Sequence, residues 1–202
     1  MIHPDTELKF INSDIGFGVF ATRLIPRGAV VWTLCQLDRR YTRAEVRAMP
    51  RPYRTIIDKY AYANAEGDYI LCWDAARYVN HSCDVNTCDV GTHIELAARD
   101  ILPGEQITCD YSSCNIPIEC LCGAKNCRGT IKPEDVLTYG PLWDGIVQRT
   151  LPFAANVAQP LLPFIQDPAF FAAVIKDPSL MPSYTDFFRS PTVRKRRTAV
   201  RV

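Results

Sequence analysis

"YVNHSCDVNT", residues 78–87, places two asparagines, a histidine and a cysteine within ten residues. A run this polar between strands is hard to explain by packing, and it raises the question of what the fold gains by holding Asn80, His81 and Cys83 together. The stretches on either side set its context. "GDYILCWD" before it reads as a strand. "IELAARDILPGEQITCDY" after it reads as strand, turn and strand, with Pro103-Gly104 as a type II turn pair. Nearer the N-terminus, "GVFATRLIPRGAVVWTL" repeats that arrangement, Pro26 presetting a turn dihedral and Gly28 supplying the permissive position. Between them "TRAEVRAMPRPYRTIIDKY" is the least β-like part, and Thr42 is placed to cap a short helix that runs to Pro50.

After about residue 132 the texture changes. "KPEDVLTYGPLWDGIVQRTLPF" and "QDPAFFAAVIKDPSL" favour helices. Asp167 is a good N-cap with Pro168 at the first helical position, and Asp177-Pro178 marks the stop. Ala169, Phe170, Ala173 and Val174 are the apolar face expected of that helix. The final "RSPTVRKRRTAVRV" reads as a basic, mobile tail.

The chain of 202 residues is long enough for one compact domain plus an appendage. A formal charge of +1 and a pI near 7.5 imply neither a nucleic-acid surface nor an acidic partner. No run of about 18 apolar residues occurs, so no membrane span is expected. "MIHPDTELKF" lacks a basic start and an apolar run, so no secretion signal is read there. Nine cysteines in such a chain suit a reducing compartment with free thiols, or a metal, better than a disulfide framework.

Three of those cysteines crowd into "CLCGAKNCRG" at Cys120, Cys122 and Cys127, a C-x-C-x4-C spacing. Thiols this close suit a soft tetrahedral cation, and zinc closes at four ligands in structural sites. Cys83 of the opening run is the candidate for the fourth place, with Cys88 and Cys114 as rivals. If Cys83 ligates, the metal pins two stretches about forty residues apart into the walls of one cleft.

Four stretches in order now carry a resemblance: "IGFGVFATRLIPRGAVV", "RYVNHSCDVN", "ARDILPGEQITCDY" and "CLCGAKNCRG". Together they resemble the SET-domain protein-lysine methyltransferases, the last looking like the post-SET zinc motif of compact, stand-alone members. The resemblance implies a mostly β fold of small sheets (β-clip-like) with a pseudoknot at the Asn-His-Ser-Cys strand. To this a C-terminal α-helical extension is added. Its expected divisions are a SET core over residues 1–112, a zinc segment over 113–132, helices over 133–189 and the tail over 190–202. It further implies S-adenosylmethionine as methyl donor, a structural zinc, and transfer to a lysine ε-amine of a histone or other basic protein. Carried over by motif, Gly16, Phe17 and Gly18 would close on the donor's methionyl part, and Asn80 and His81 would hold its amino group and adenine edge. Leu121 would pack on the adenine, Tyr111 would be the catalytic tyrosine, and Cys83, Cys120, Cys122 and Cys127 would hold the zinc. Arg77 and Asp110 read as structural.

The chemistry makes modest demands. A free lysine, with a pKa of about 10.4, is neutral in roughly one molecule in a thousand at pH 7. A narrow apolar channel and a nearby sulfonium both lower that pKa, and alignment with water exclusion supplies much of the rest.

The sequence also departs from the family pattern. Val85 stands where a proline is expected, Cys109 where the family often has phenylalanine or tyrosine, and Leu34 where a tyrosine is often found. Tyr60, Tyr62 and Tyr69 could restore the lost aromatic wall, and Tyr62 is the choice as second catalytic residue. The smaller Cys109 predicts methylation beyond the first methyl. The losses also sustain an alternative, a catalytically weak SET module that acts as an interaction scaffold. The C-terminal helices are expected to pack on the core, the competing expectations being a homodimer interface or a substrate-guiding wall. Lys195, flanked by arginines, resembles a methylation target. The expected location is cytoplasmic for a bacterial protein and nuclear for a eukaryotic one.

Overall fold

The computed structural model describes residues 1–64, 66–111 and 117–187. Cys114, Lys195 and the basic tail lie outside the described residues. In chain order the first elements are β1 (Thr6–Asn12), β2 (Gly16–Ala21), β3 (Val30–Thr33) and β4 (Arg39–Tyr41). Two helices follow, α1 (Arg43–Ala48) and α2 (Arg51–Tyr60), and then β5 (Ala61–Ala63) and β6 (Tyr69–Leu71). The remaining strands are β7 (Asn80–His81), β8 (Thr87–Val90), β9 (Ile94–Ala97), β10 (Thr108–Cys109), β11 (Ile118–Glu119) and β12 (Thr130–Ile131). The chain closes with α3 (Asp135–Thr150), α4 (Pro168–Lys176) and α5 (Tyr184–Phe187).

These strands make five small sheets, of order β1-β2, β3-β9-β8, β4-β6-β5, β7-β10 and β11-β12. Strand, turn and strand over residues 16–33 form as expected, but β2 and β3 do not pair with each other. Ile25 bridges Ile101 in the connection, which sends β3 into a different sheet. The turn glycines Gly28 and Gly104 have φ of +88° and +81°, the left-handed conformation those turns require. Thr42 caps α1 through a full capping box, accepting from the Glu45 N–H at 3.2 Å while its own N–H donates to Glu45 Oε2 at 2.7 Å.

The β3-β9-β8 sheet is buried on both faces, and its alternation sorts the residues. Cys88, Val90, Ile94 and Leu96 point to one face, where they share a core with Val136, Trp143, Val147, Phe171, Val174 and Tyr184 of the three C-terminal helices. The helices therefore bury the back of the central sheet. The turn at Gly28 shows how tightly, because a Cβ there would lie 2.6 Å from the Ala154 backbone nitrogen. The buried stripe of α4 is Phe171 and Val174, and Ala169 is exposed, which shifts the expected apolar face by one position. A second core of Val19, Ala21, Ile25, Val31, Ile101 and Ile107 ties β2 to the same sheet from the other side.

Candidate active site

The opening run becomes β7, a two-residue strand parallel to β10, with Asn80 opposite Thr108 and His81 opposite Cys109. This pairing brings the Asn-His-Ser-Cys stretch beside the segment that ends in Asp110-Tyr111. Asn80 Nδ2 donates to Phe17 O at 2.9 Å, so the first hairpin is tied to the same place. A Cβ added to Gly18 would lie 2.7 Å from both Gln106 Nε2 and Ile11 Cδ1 and 3.1 Å from Asn80 Nδ2, so the ends of those side chains would have to shift to admit it. Gly16, with φ of +85°, sits at the open end of the hairpin with nothing near its absent side chain. Phe17 (45% exposed) and Leu121 (58% exposed) offer apolar surface that the chain itself leaves uncovered.

Tyr111 joins this cradle to a second space. Its N–H donates to His81 Nδ1 at 3.2 Å and its hydroxyl donates to Val79 O at 3.0 Å. Burial pushes its phenol pKa up, and the neighbouring Cys109 and Glu95 push the same way, so the hydroxyl keeps its proton at neutral pH. On its other side lies a cavity of about 610 Å³ whose wall includes Trp32, Tyr60, Tyr62, Tyr69 and Cys109. The aromatic wall that Leu34 and Cys109 seemed to remove is thus present. Trp32, two residues before Leu34, and the three tyrosines of the intervening segment supply it. Trp32 and Tyr62 pack edge to face with centroids 5.9 Å apart.

The cysteine segment meets the opening run as the spacing suggests. Ligand atoms of His81, Cys83, Cys120 and Cys122 all lie within 4.8 Å of one another. The Cys83 and Cys120 sulfurs are 3.8 Å apart. That is the edge expected of a tetrahedron with zinc–sulfur bonds of about 2.3 Å. Cys127 falls outside this mutual set, although its thiol interacts with those of Cys120 and Cys122. His81 stands in its place, with Nε2 3.3 Å from Cys83 Sγ. Burial, helped by Arg128, lowers its pKa to about 4, so the imidazole is neutral and able to ligate. Burial raises the Cys122 thiol, but N–H groups of Cys83 and Ala124 and the neighbouring thiols outweigh it and bring the group down to about 6. Cys88, one rival for the fourth position, is buried in the helix-facing core. The other, Cys114, lies outside the described residues.

One residue of this cluster carries no motif of its own. Arg128, buried at 8% side-chain exposure, donates from N and Nε to Cys83 Sγ at 3.3 and 3.4 Å. It pairs with Asp110 at 2.7 Å and Asp135 at 3.0 Å. It links the cysteine segment, the Asp-Tyr pair and the start of α3, and only its position next to Cys127 hinted at this. Asp110, read from the sequence as structural, is held by this ion pair and also lines the cavity.

Comparison with known proteins fits this geometry. Residues 16–112 match the SET domain family model. Residues 16–112 thus form a SET domain, and the small, mostly antiparallel sheets are those expected of it, with the C-terminal helices added outside the matched region. Histone-lysine N-methyltransferase SETMAR of Rattus norvegicus is 36% identical over 90 residues, covering 33% of this chain and 28% of that protein. Histone-lysine N-methyltransferase SETD1B of Homo sapiens is 30% identical over 139 residues, covering 62% of this chain and 7% of that protein. An H3 lysine-4 specific histone-lysine N-methyltransferase of Cryptococcus neoformans is 30% identical over 141 residues, or 61% of this chain and 10% of its own length. The chain thus spans well under a third of the length of these relatives. No described helix is long and apolar enough to cross a membrane.

Proposed function

We propose that the chain is a protein-lysine N-methyltransferase that transfers a methyl group from S-adenosylmethionine to the ε-amine of a lysine in a histone or other basic protein. The observation that carries this reading is the position of Tyr111, between the cradle of Phe17, Gly18, Asn80 and His81 on one side and the aromatic cavity on the other. The cradle suits the donor: an Asn80 amide held by the Phe17 carbonyl, and uncovered Phe17 and Leu121 faces against which an adenine would lie. When bound, the donor supplies a sulfonium methyl open to in-line displacement.

The chain's own residues do the rest. Trp32, Tyr60, Tyr62 and Tyr69 exclude water from the lysine side chain and disfavour its charged form. Tyr111, fixed by two hydrogen bonds, turns its oxygen lone pairs toward the junction and orients the amine for attack. Tyr62, whose buried hydroxyl has no partner among the described residues, is the second group able to orient it.

A structural zinc would be held by Cys83, Cys120 and Cys122, whose ligand atoms already converge with His81 Nε2, and by Cys127 as the fourth ligand in place of His81. Such an ion locks the Leu121 segment over the cradle and has no part in the transfer. Labelled-donor transfer to core histones, wild type against Tyr111→Phe, tests the reading. Tyr111-dependent methyl-lysine is expected, and binding of donor without any transfer would favour the scaffold instead.

A further inference from the structure

The walls of the cavity are aromatic, but its floor is ionisable. Asp89 on β8 and Glu95 on β9 lie directly opposite each other in the ladder. Both side chains therefore leave the sheet on one face, and both line the cavity together with Tyr111 and Tyr62. Each carboxyl is held from within. Thr87 Oγ1 donates to Glu95 Oε2 at 3.2 Å, and the Tyr184 hydroxyl, which accepts from the Asp89 N–H at 2.7 Å, also bonds the Asp89 carboxyl.

Among the described residues neither carboxyl forms an ion pair with a lysine or arginine. Lys59 and Arg77 reach the cavity wall without pairing to either. The thiols of Cys72, Cys88 and Cys109 and the phenols of Tyr62, Tyr111 and Tyr184 sense the pair, and burial keeps all six protonated at neutral pH. Asp110 adds repulsion on Asp89, and the Met1 α-amino group is the cation felt by Glu95. Burial raises both groups, Glu95 to about 7 and Asp89 well above the usual carboxylate range, and the Glu95 carboxylate pushes Asp89 further up. Among the described residues, three buried polar atoms of side chains lining the cavity lack a partner: the Tyr62 hydroxyl, the indole N–H of Trp32 (7% exposed) and Nε of Arg77. The Trp32 and Arg77 atoms can only donate, but the Tyr62 oxygen can accept, and a desolvated acidic pair together with that acceptor describes a site for a cation with N–H groups to give.

We propose that Asp89 and Glu95 are the amine-receiving end of the cavity, drawing in a lysine ammonium and taking up one of its protons. This rests on the methyltransferase reading above. One N–H bond of the ammonium breaks, an O–H bond forms on the carboxylate, and the nitrogen keeps the lone pair. That pair forms the new C–N bond as the methyl–sulfur bond breaks with its electrons left on sulfur. The product leaves as a methylated ammonium, and the carboxyl returns its proton to solvent, so one proton is released per turnover. A guanidinium, which holds its protons far more tightly, is not activated in this way.

The test uses n-butylammonium, a lysine side chain without its backbone, with 1-pentanol as the neutral probe of similar length. Thermal shift is recorded for the full chain as wild type, Glu95→Gln and Asp89→Asn/Glu95→Gln. Butylammonium is expected to raise the wild-type midpoint while pentanol does not, and the double variant should lose that response although its own midpoint rises. Should the double variant fail to fold, Glu95→Gln is read alone, with a response at least threefold weaker expected. In transfer to core histones, Glu95→Gln is expected to lower kcat at least tenfold, leave KM for the donor unchanged, and remove the limb of the pH profile near 7. An undiminished butylammonium response in the variants, or a Glu95→Gln pH profile and kcat equal to wild type, overturns the proposal while leaving methyl transfer intact. A wild type that binds butylammonium through the pair but transfers no methyl refutes the methyltransferase reading and keeps the cation site.

Discussion

Tyr111 illustrates how a side chain's role depends on what holds it. Its ring lies against His81 with centroids 5.4 Å apart and its hydroxyl is committed to Val79 O. Tyr111→Phe keeps the ring and removes the hydroxyl. Folding should lose about 1 kcal/mol, while transfer should fall by at least about a hundredfold if the oxygen orients the amine; unfolding midpoints and labelled transfer measure the two separately. Cys109 lines the same cavity in the position where a larger aromatic would narrow it. The products are expected to include di- or trimethyl-lysine, and mass spectrometry that finds only monomethyl-lysine after long incubation would contradict this. Residues inside contiguous motifs, such as Asn80, His81 and Tyr111, were legible because motif and contact coincide. Glu95 was not. A lone acid in the short strand "IELA" announces nothing until the ladder sets it opposite Asp89 and the sheet turns both toward a cavity.

Among the elements, the cysteine segment and the helices behave differently. The C-x-C-x4-C spacing pointed to a metal from chemistry alone, and the fold brings Cys83 to Cys122 from 39 residues away. What spacing did not reveal is the His81 imidazole inside the cluster, or Arg128 clamping Cys83, Asp110 and Asp135. The purified chain should carry about one zinc per molecule by mass spectrometry of the metal. Cys83→Ser or chelation should strip that zinc, lower the midpoint and abolish transfer; full activity after complete metal removal would contradict the structural role. The helices were legible from their caps, as with Asp167, which accepts from the Phe170 N–H at 2.9 Å. Their docking was not, because a helix's partner is set by the opposing surface. Trp143, 6% exposed, packs within the core shared by the helices and the β3-β9-β8 sheet. Trp143→Ala should cost about 3–5 kcal/mol, and denaturant unfolding should show one cooperative transition shifted as a whole.

Taken together, the molecule is built around the β3-β9-β8 sheet, whose two faces are unlike. One is closed by helices in an apolar core, and the other holds acids at the floor of a cavity. That second face costs stability in a pH-dependent way. The Glu95 pKa is raised by burial from 4.5 to about 7, so the folded chain binds a proton that the unfolded chain has released. Its penalty is absent below about 4.5, is fully present above about 7, and grows as pH rises between them. The midpoint of Glu95→Gln should therefore exceed that of wild type by a margin that widens across this window; a margin independent of pH would contradict the assignment. The order of the four sequence motifs pointed to the family, and the fold joins them by placing β7 beside β10. The decisive measurement is the fate of a labelled methyl group after incubation of the chain with S-adenosylmethionine and core histones, followed by acid hydrolysis and amino-acid analysis. Label in methyl-lysine with wild type and not with Tyr111→Phe is the expected result; label in another amino acid, no label at all, or equal label with both proteins would contradict the account.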